Sequence, residues 1–103
     1  AIHAGLMEGL DMPPDDLFQV FRPHDEGELV FSPDFAGVDR RDLVLLRITM
    51  VHMFPVDTKT RMYAALVKHL EAAGLRHEDI LVCVVEVGFE DWYAGVPIRG
   101  EVA

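Results

Sequence analysis

Apolar residues in the first part of the chain predict one helix and one short strand. Three apolar residues recur four positions apart, which places them on one face of a helix. They are Ile2, Leu6 and Leu10. No capping residue precedes this helix, and Pro13 and Pro14 end it. Residues 17–22 are short and rich in strand formers, so we expect a strand there. Residues 23–42 carry scattered prolines, glycines and charges and are expected to form a long loop.

The second part of the chain predicts a strand, a helix and a second strand. Residues 43–53 and 80–87 are nearly continuous apolar runs, which is typical of strands buried on both faces. Between them, Asp57 can cap a helix that runs to about residue 73, with Gly74 at its end. The order predicts a βαβ unit with parallel strands. After residue 88 we expect a loop with at most one short edge strand.

The two parts align as an internal repeat. Residues 13–20 align with residues 76–83 at an offset of sixty-three positions, and the same offset aligns Met7 with Leu70. The counterpart of strand 43–53 would then lie about twenty residues before Ala1. We therefore expect a single α/β domain of two βαβ units, spanning residues 1–103, whose first strand is not in this chain.

Charge, cysteine content and short motifs exclude several classes of partner and cofactor. The formal net charge of −9 argues against a nucleic-acid or anionic-membrane surface, because either requires a basic face. The single cysteine, Cys83, excludes an internal disulfide, and no apolar run is long enough to span a bilayer. We expect a protein of the cytoplasm. No metal-ligand spacing and no glycine-rich phosphate loop occurs, so neither a metal nor another cofactor is expected.

Several short stretches resemble the tautomerase superfamily, specifically its long-subunit branch that includes malonate semialdehyde decarboxylase-like proteins. The resemblance spans essentially the whole chain and depends on the order and spacing of its markers rather than on any one of them. These are His3, residues 12–19, residues 37–44, Thr58 and Lys59 ahead of Tyr63, residues 78–80 and 85–87, and residues 90–92.

The resemblance implies two βαβ halves, assembly as a homotrimer and an N-terminal proline as the catalytic group. That proline would open the missing segment, and its secondary amine would transfer protons near neutral pH. Asp16 matches the loop aspartate that orients or activates water in the decarboxylase branch. An aspartate after two prolines is also ordinary turn chemistry, and that interpretation stays open.

The substrate-binding positions match the family unevenly. The branch places arginine at the end of the central strand to hold a substrate carboxylate, whereas this chain has His52 and Phe54. Trp92 matches the tryptophan of the family's Asp-Trp-Ser-Phe-Gly pattern, but Tyr93 and Ala94 follow it. His52 is a candidate catalytic or carboxylate-holding group, and Phe54, Trp92 and Tyr93 are candidate substrate-binding residues. The alternatives are a histidine bonded to a backbone carbonyl and aromatic side chains that only cover the core.

Two functions therefore remain open. The first is proton transfer, as in keto–enol tautomerisation or a related decarboxylation or hydration, on a small keto or unsaturated carboxylic acid. The second is a non-catalytic oligomeric scaffold or small-acid-binding relative that has lost the arginine grip.

Overall fold

The protein has a two-layer α/β architecture in a computed structural model that describes residues 1–98. Helix α1 spans Ile2–Leu10, strand β1 Val44–Val51, helix α2 Val56–Ala72 and strand β2 Ile80–Val87. Short 3-10 turns at Phe35–Gly37, His77–Asp79 and Phe89–Asp91 complete the elements. The predicted helices and the two long strands are confirmed to within two residues at each end.

The two strands pair in parallel, as the strand–helix–strand order predicts. Their register places Val44 beside Ile80 and Val51 beside Val87. Both strands therefore end at the same edge of the sheet, where α2 begins. Gly74 adopts a φ of +100° two residues after α2, in keeping with its predicted role at the helix end.

Both helices cover the same face of the sheet. Met62 and Leu66 of α2 are fully buried between α1 and the strands. The buried cluster consists of Leu46, Met50, Met62, Leu66 and Leu70, and α1 adds Ile2, Leu6 and Leu10 to its margin. Helix α1 approaches α2 through two buried glycines, Gly5 and Gly9.

The opposite face of the sheet is open, which corrects the expectation that both strands are buried on both faces. Leu45 is 50% exposed and its register partner Leu81 is 37% exposed. Arg47 and Cys83, the next outward-facing pair, are exposed as well. The apolar outward positions predicted burial, but no element among the described residues covers them.

The strand predicted at 17–22 does not form. Residues 13–28 are exposed and extended or turned, and the segment lies in no sheet within the described part of the chain. Strand-forming side chains need a neighbouring strand to satisfy their backbone groups, and none of the described residues supplies one here. Without a neighbouring strand, the apolar side chains of the segment also remain uncovered: Phe18 is 89% exposed and Phe21 73%.

The start of α2 also differs from the prediction. Pro55 occupies the N-cap position and Asp57 lies inside the first turn, so Asp57 is not the cap. Proline is well tolerated at the start of a helix because its missing N–H has no partner in the first turn. Asp57 remains favourable there, because a carboxylate complements the positive end of the helix dipole.

Candidate functional site

Three polar side chains meet at the edge where both parallel strands end. Glu86 is the next-to-last residue of β2 and stands beside Met50 in the register. His52 follows β1 directly, and its backbone N–H donates to the Val87 carbonyl at 2.8 Å. Lys59 reaches the same place from the first turns of α2. Ligands in open parallel sheets commonly bind outside the carboxyl ends of the strands, which is where these residues lie.

Glu86 uses both of its carboxylate oxygens in this cluster. Oε2 contacts Nδ1 of His52, and Oε1 accepts a hydrogen bond from Lys59 Nζ at 2.5 Å. The Lys59 side chain is only 19% exposed and that of Glu86 27%, whereas the His52 side chain is 78% exposed. The glutamate therefore joins a sheltered ammonium group to an imidazole that faces outward.

The charge state of Glu86 follows from these contacts. The hydrogen bond from Lys59, followed by that from His52, lowers the pKa of the Glu86 carboxyl below its ordinary value, and desolvation opposes this only partly. An ionised carboxylate can only accept hydrogen bonds, so the proton of this contact belongs to His52 Nδ1. Nε2 is then the ring nitrogen that faces solvent. A neutral His52 presents a proton acceptor there, and a protonated His52 presents a donor.

Sequence reasoning named His52 as a candidate but did not single out Glu86 and Lys59, which the structure brings together with it. Glu86 is 34 positions from His52 and 27 from Lys59, so no local spacing connects them. One signal was present in the sequence. Glu86 is the single charge in the apolar run 80–87, and it stands near the strand end, as His52 does.

The other predicted site residues occupy separate places. Asp16 lies in the exposed segment after α1, where its backbone N–H donates to the Pro13 carbonyl at 3.1 Å. Phe54 is half-buried and packs against the core cluster. Trp92 and Tyr93 follow the last 3-10 turn, at 41% and 76% exposure, and the Tyr93 hydroxyl donates to the Gly95 carbonyl. Within residues 1–98, no hydrogen bond joins any of these four to His52.

A second charged cluster occupies the opposite edge of the sheet. The Asp79 side chain is 5% exposed and accepts hydrogen bonds from the Arg41 backbone N–H at 2.7 Å and from Arg76 Nη1 at 3.1 Å. The backbone hydrogen bond from Arg41 is the main cause of a lowered pKa of the Asp79 carboxyl, and Asp42 and Arg76 add to it. This cluster ties the start of β1 to the start of β2 and has the character of a structural brace.

No group of three His, Cys, Asp or Glu side chains among residues 1–98 is placed to hold a metal ion. No helix in this part of the chain combines the length and apolarity needed to cross a bilayer.

Solved structures of similar chains share this architecture. Malonate semialdehyde decarboxylase, described for its decarboxylase and hydratase activities, aligns with a TM-score of 0.85 at 28% identity, covering 98% of this chain and 77% of the other. The FG41 malonate semialdehyde decarboxylase, inhibited by 3-bromopropiolate, aligns with a TM-score of 0.85 at 26% identity, covering 90% and 72%.

Two curated proteins of Bacillus subtilis (strain 168) match most of the chain. The probable tautomerase YusQ is 28% identical over 96 residues, which are 91% of this chain and 76% of the relative. The probable tautomerase YrdN is 29% identical over 96 residues, which are 91% and 74%. Together with the structural matches, these relatives support a role of the tautomerase or decarboxylase type. Because residues 9–95 also match the family described as tautomerase enzyme, the chain belongs to the tautomerase superfamily and has malonate semialdehyde decarboxylase-like relatives.

Proposed function

We propose that this protein transfers protons on a small keto or unsaturated carboxylic acid at the sheet edge formed by His52, Glu86 and Lys59. The observation that carries the proposal is the pair of contacts from Glu86, which leaves the outward nitrogen of His52 available to substrate. A carboxylate that orients an imidazole and fixes its tautomer is a recurrent arrangement in acid–base catalysis.

In this proposal His52 binds the substrate carboxylate or carries the proton. Glu86, held by Lys59, positions its ring, and the charge of Lys59 offsets that of Glu86 beside an acidic substrate. A histidine in place of arginine offers one donor rather than a planar fork, so we expect it to hold the substrate carboxylate more weakly than an arginine would. Asp16 would orient water, and Phe54, Trp92 and Tyr93 would line the substrate pocket.

The proton-transferring amine in this proposal is an N-terminal proline, which is not among the 103 residues. Intact mass and N-terminal sequencing of the natural protein that contains them would test this directly. A first residue of proline, about twenty positions before Ala1, supports the proposal. A natural protein that begins with another residue contradicts the assignment of the amine.

The open face of the sheet supports assembly as a homotrimer. Leu45 and Leu81 form an exposed apolar pair on this face, near the start of both strands. Apolar side chains at paired strand positions are stabilised when a partner surface covers them. We propose that other copies of this protein provide that surface.

Histidine substitution in the natural protein tests the catalytic role. We expect His52→Ala to lower the rate of enol–keto exchange, followed by ultraviolet absorbance on phenylenolpyruvate, by about a hundredfold or more, since positioned acid–base groups contribute on this scale. The matched control is His77→Ala, which removes an exposed histidine that also contacts glutamates but lies next to β2's other end.

The outcomes separate the proposal from its alternative. Full activity of the His52→Ala variant contradicts the role given to His52. A wild-type rate no greater than that of buffer, on enol and on malonate semialdehyde alike, contradicts the enzymatic function. Calorimetric binding of a small carboxylate without turnover would then favour the binding relative.

A further inference from the structure

His3 makes a hydrogen bond across eleven residues that the proposed function does not use. Its Nε2 lies 2.9 Å from the carbonyl oxygen of Pro14. A carbonyl oxygen only accepts, so Nε2 carries the proton of this bond. The other ring nitrogen, Nδ1, is buried and has no hydrogen-bond partner among the described residues. The ring is therefore fixed in one orientation by a single polar contact.

This contact is the one hydrogen bond that ties the segment 12–24 to the rest of the described chain. Inside the segment, the Asp16 N–H donates to the Pro13 carbonyl at 3.1 Å and closes a turn over residues 13–16. Apart from that turn and the contact with His3, residues 12–24 make no hydrogen bond within the described residues 1–98. The segment is exposed from residue 13 onward, so packing adds little to hold it.

The chemistry of the turn makes a single anchor effective. Pro13 and Pro14 each have a fixed φ near −65°, which removes much of the freedom of the backbone that leads to Asp16. Pro14 has no N–H, so its carbonyl is the group through which the turn can be held. Fixing that carbonyl and closing the turn by the Asp16 N–H together fix the backbone that carries the Asp16 carboxylate.

We propose that His3 is a positioning residue for Asp16: its Nε2–H holds the Pro14 carbonyl, and thereby the turn and the Asp16 carboxylate, in place for the reaction. This inference rests on the proposed function for the role of Asp16, whereas the anchoring of the turn stands on the hydrogen bond itself. His3 touches neither substrate nor reacting atoms in this arrangement and acts only through the turn.

Kinetics of the natural protein test the action through Asp16. We compare wild type with His3→Leu, which removes the donor, and with His3→Gln, whose amide nitrogen can take the place of Nε2. The expected result is a kcat reduced about tenfold in His3→Leu with KM changed less than twofold, and most of the loss restored in His3→Gln. Loss of one positioning contact lowers the rate on this scale.

A double variant distinguishes positioning from general destabilisation. If His3 acts through Asp16, His3→Leu combined with Asp16→Asn is no slower than Asp16→Asn alone. Multiplied losses in the double variant overturn the proposal, as does a His3→Leu variant with wild-type kcat. Melting temperatures of both His3 variants show whether folding is retained, and His3→Gln keeps the test valid if His3→Leu does not fold.

A nuclear magnetic resonance measurement separates failure of this inference from failure of the proposed function. Backbone amide order parameters for Asp15, Asp16 and Leu17 should fall in His3→Leu from near 0.85, typical of ordered backbone, to about 0.6 or below, and recover in His3→Gln. Unchanged order parameters overturn the anchoring whether or not the protein is an enzyme. Lowered order parameters in a protein without turnover retain the anchor and reject the proposed function.

Discussion

Gly9 of α1 and Met62 of α2 lie so close that the two helix backbones touch. A Cβ placed on Gly9 would lie 2.5 Å from the Cα atom of Met62, well inside van der Waals contact. One turn earlier, a Cβ on Gly5 would lie 2.9 Å from the Cα atom of Leu66. The two glycines therefore set the separation of the helices, and a side chain at either position requires α1 to move away.

Replacing Gly9 by alanine should destabilise the protein. Helix propensity alone favours alanine over glycine by about 1 kcal/mol, so without a clash the variant would be more stable than wild type. A loss of stability therefore indicates the clash. Because the new methyl group meets backbone rather than a flexible side chain, we expect a net loss of about 1–3 kcal/mol, the usual range for overpacking. Urea unfolding followed by circular dichroism measures the free energy of unfolding. A stabilised Gly9→Ala variant would show that α1 is free to shift.

The pKa of Glu86 should depend on Lys59. Since the hydrogen bond from Lys59 is the largest cause of the lowered pKa of Glu86, Lys59→Met should raise the pKa of this carboxyl toward its ordinary value. The matched control is Lys68→Met. Lys68 pairs with Glu8 at 2.7 Å and lowers the pKa of Glu8 in the same way.

Carboxyl ¹³C shifts followed through a pH titration report both groups in one experiment. Lys59→Met should move the midpoint of Glu86 and leave that of Glu8, and Lys68→Met should do the reverse. If Lys59→Met leaves the Glu86 midpoint in place, the ion pair is not formed in solution.

Asp79 should make stability depend on pH. Its pKa is lowered in the folded state, mainly by the hydrogen bond from the Arg41 backbone N–H. A carboxyl with a lowered folded pKa contributes stability that is fully present above its unfolded pKa and is lost as the pH falls through the folded pKa. Asp79→Asn should therefore melt at a lower temperature than wild type at pH 7, and the difference should shrink on acidification.

Calorimetric melting of both proteins across this pH range measures the effect. Asp25→Asn, in an exposed loop, is the control and should track wild type throughout. A gap for Asp79→Asn that stays constant down to the lowest pH would mean that the charge of Asp79 contributes nothing to folding.

A charge on the open sheet face should change the oligomeric state. Leu81 is exposed in the single chain beside Leu45, and a trimer that covers this face would bury both. Leu81→Lys would place an unpaired ammonium group in that interface, which is costly to bury. We expect the mass measured by size exclusion with light scattering to fall from that of a trimer to that of a monomer.

The control for this variant lies on the outer side of α2. Ala64 is exposed on the side of α2 that faces away from the sheet, and Ala64→Lys should leave the measured mass of the oligomer unchanged. A Leu81→Lys protein that keeps a trimer mass would show that another surface joins the subunits.

The long elements could be predicted from the sequence because their signals are local. The continuous apolar runs predicted both central strands, and the parallel pairing followed from the helix between them. The segment 17–22 carries equally good strand formers, yet it forms no strand. A strand depends on a neighbour that supplies hydrogen bonds, and residue composition does not reveal whether that neighbour is present.

The candidate site was only partly predictable, for a related reason. His52 stood out as a polar residue where an apolar run ends. Its contacts with Glu86 and Lys59 arise only after two strands align and a helix returns to the same edge, so they depend on tertiary structure. The exposure of Leu45 shows the same limit, because an apolar side chain predicts burial but not which molecule provides the cover.

The double contact of Glu86 has a consequence for how this site can change. His52 opens the connection between β1 and α2, Lys59 lies in the first turns of α2 with six residues between the two, and Glu86 contacts both. Glu86 therefore links the end of β1 to the start of α2 through side-chain contacts. Met53, between them, is 59% exposed, so we expect its exchange to leave His52 and Lys59 in place. Exposed positions in this stretch are therefore natural sites for redesigning substrate preference, with His52 left where it is.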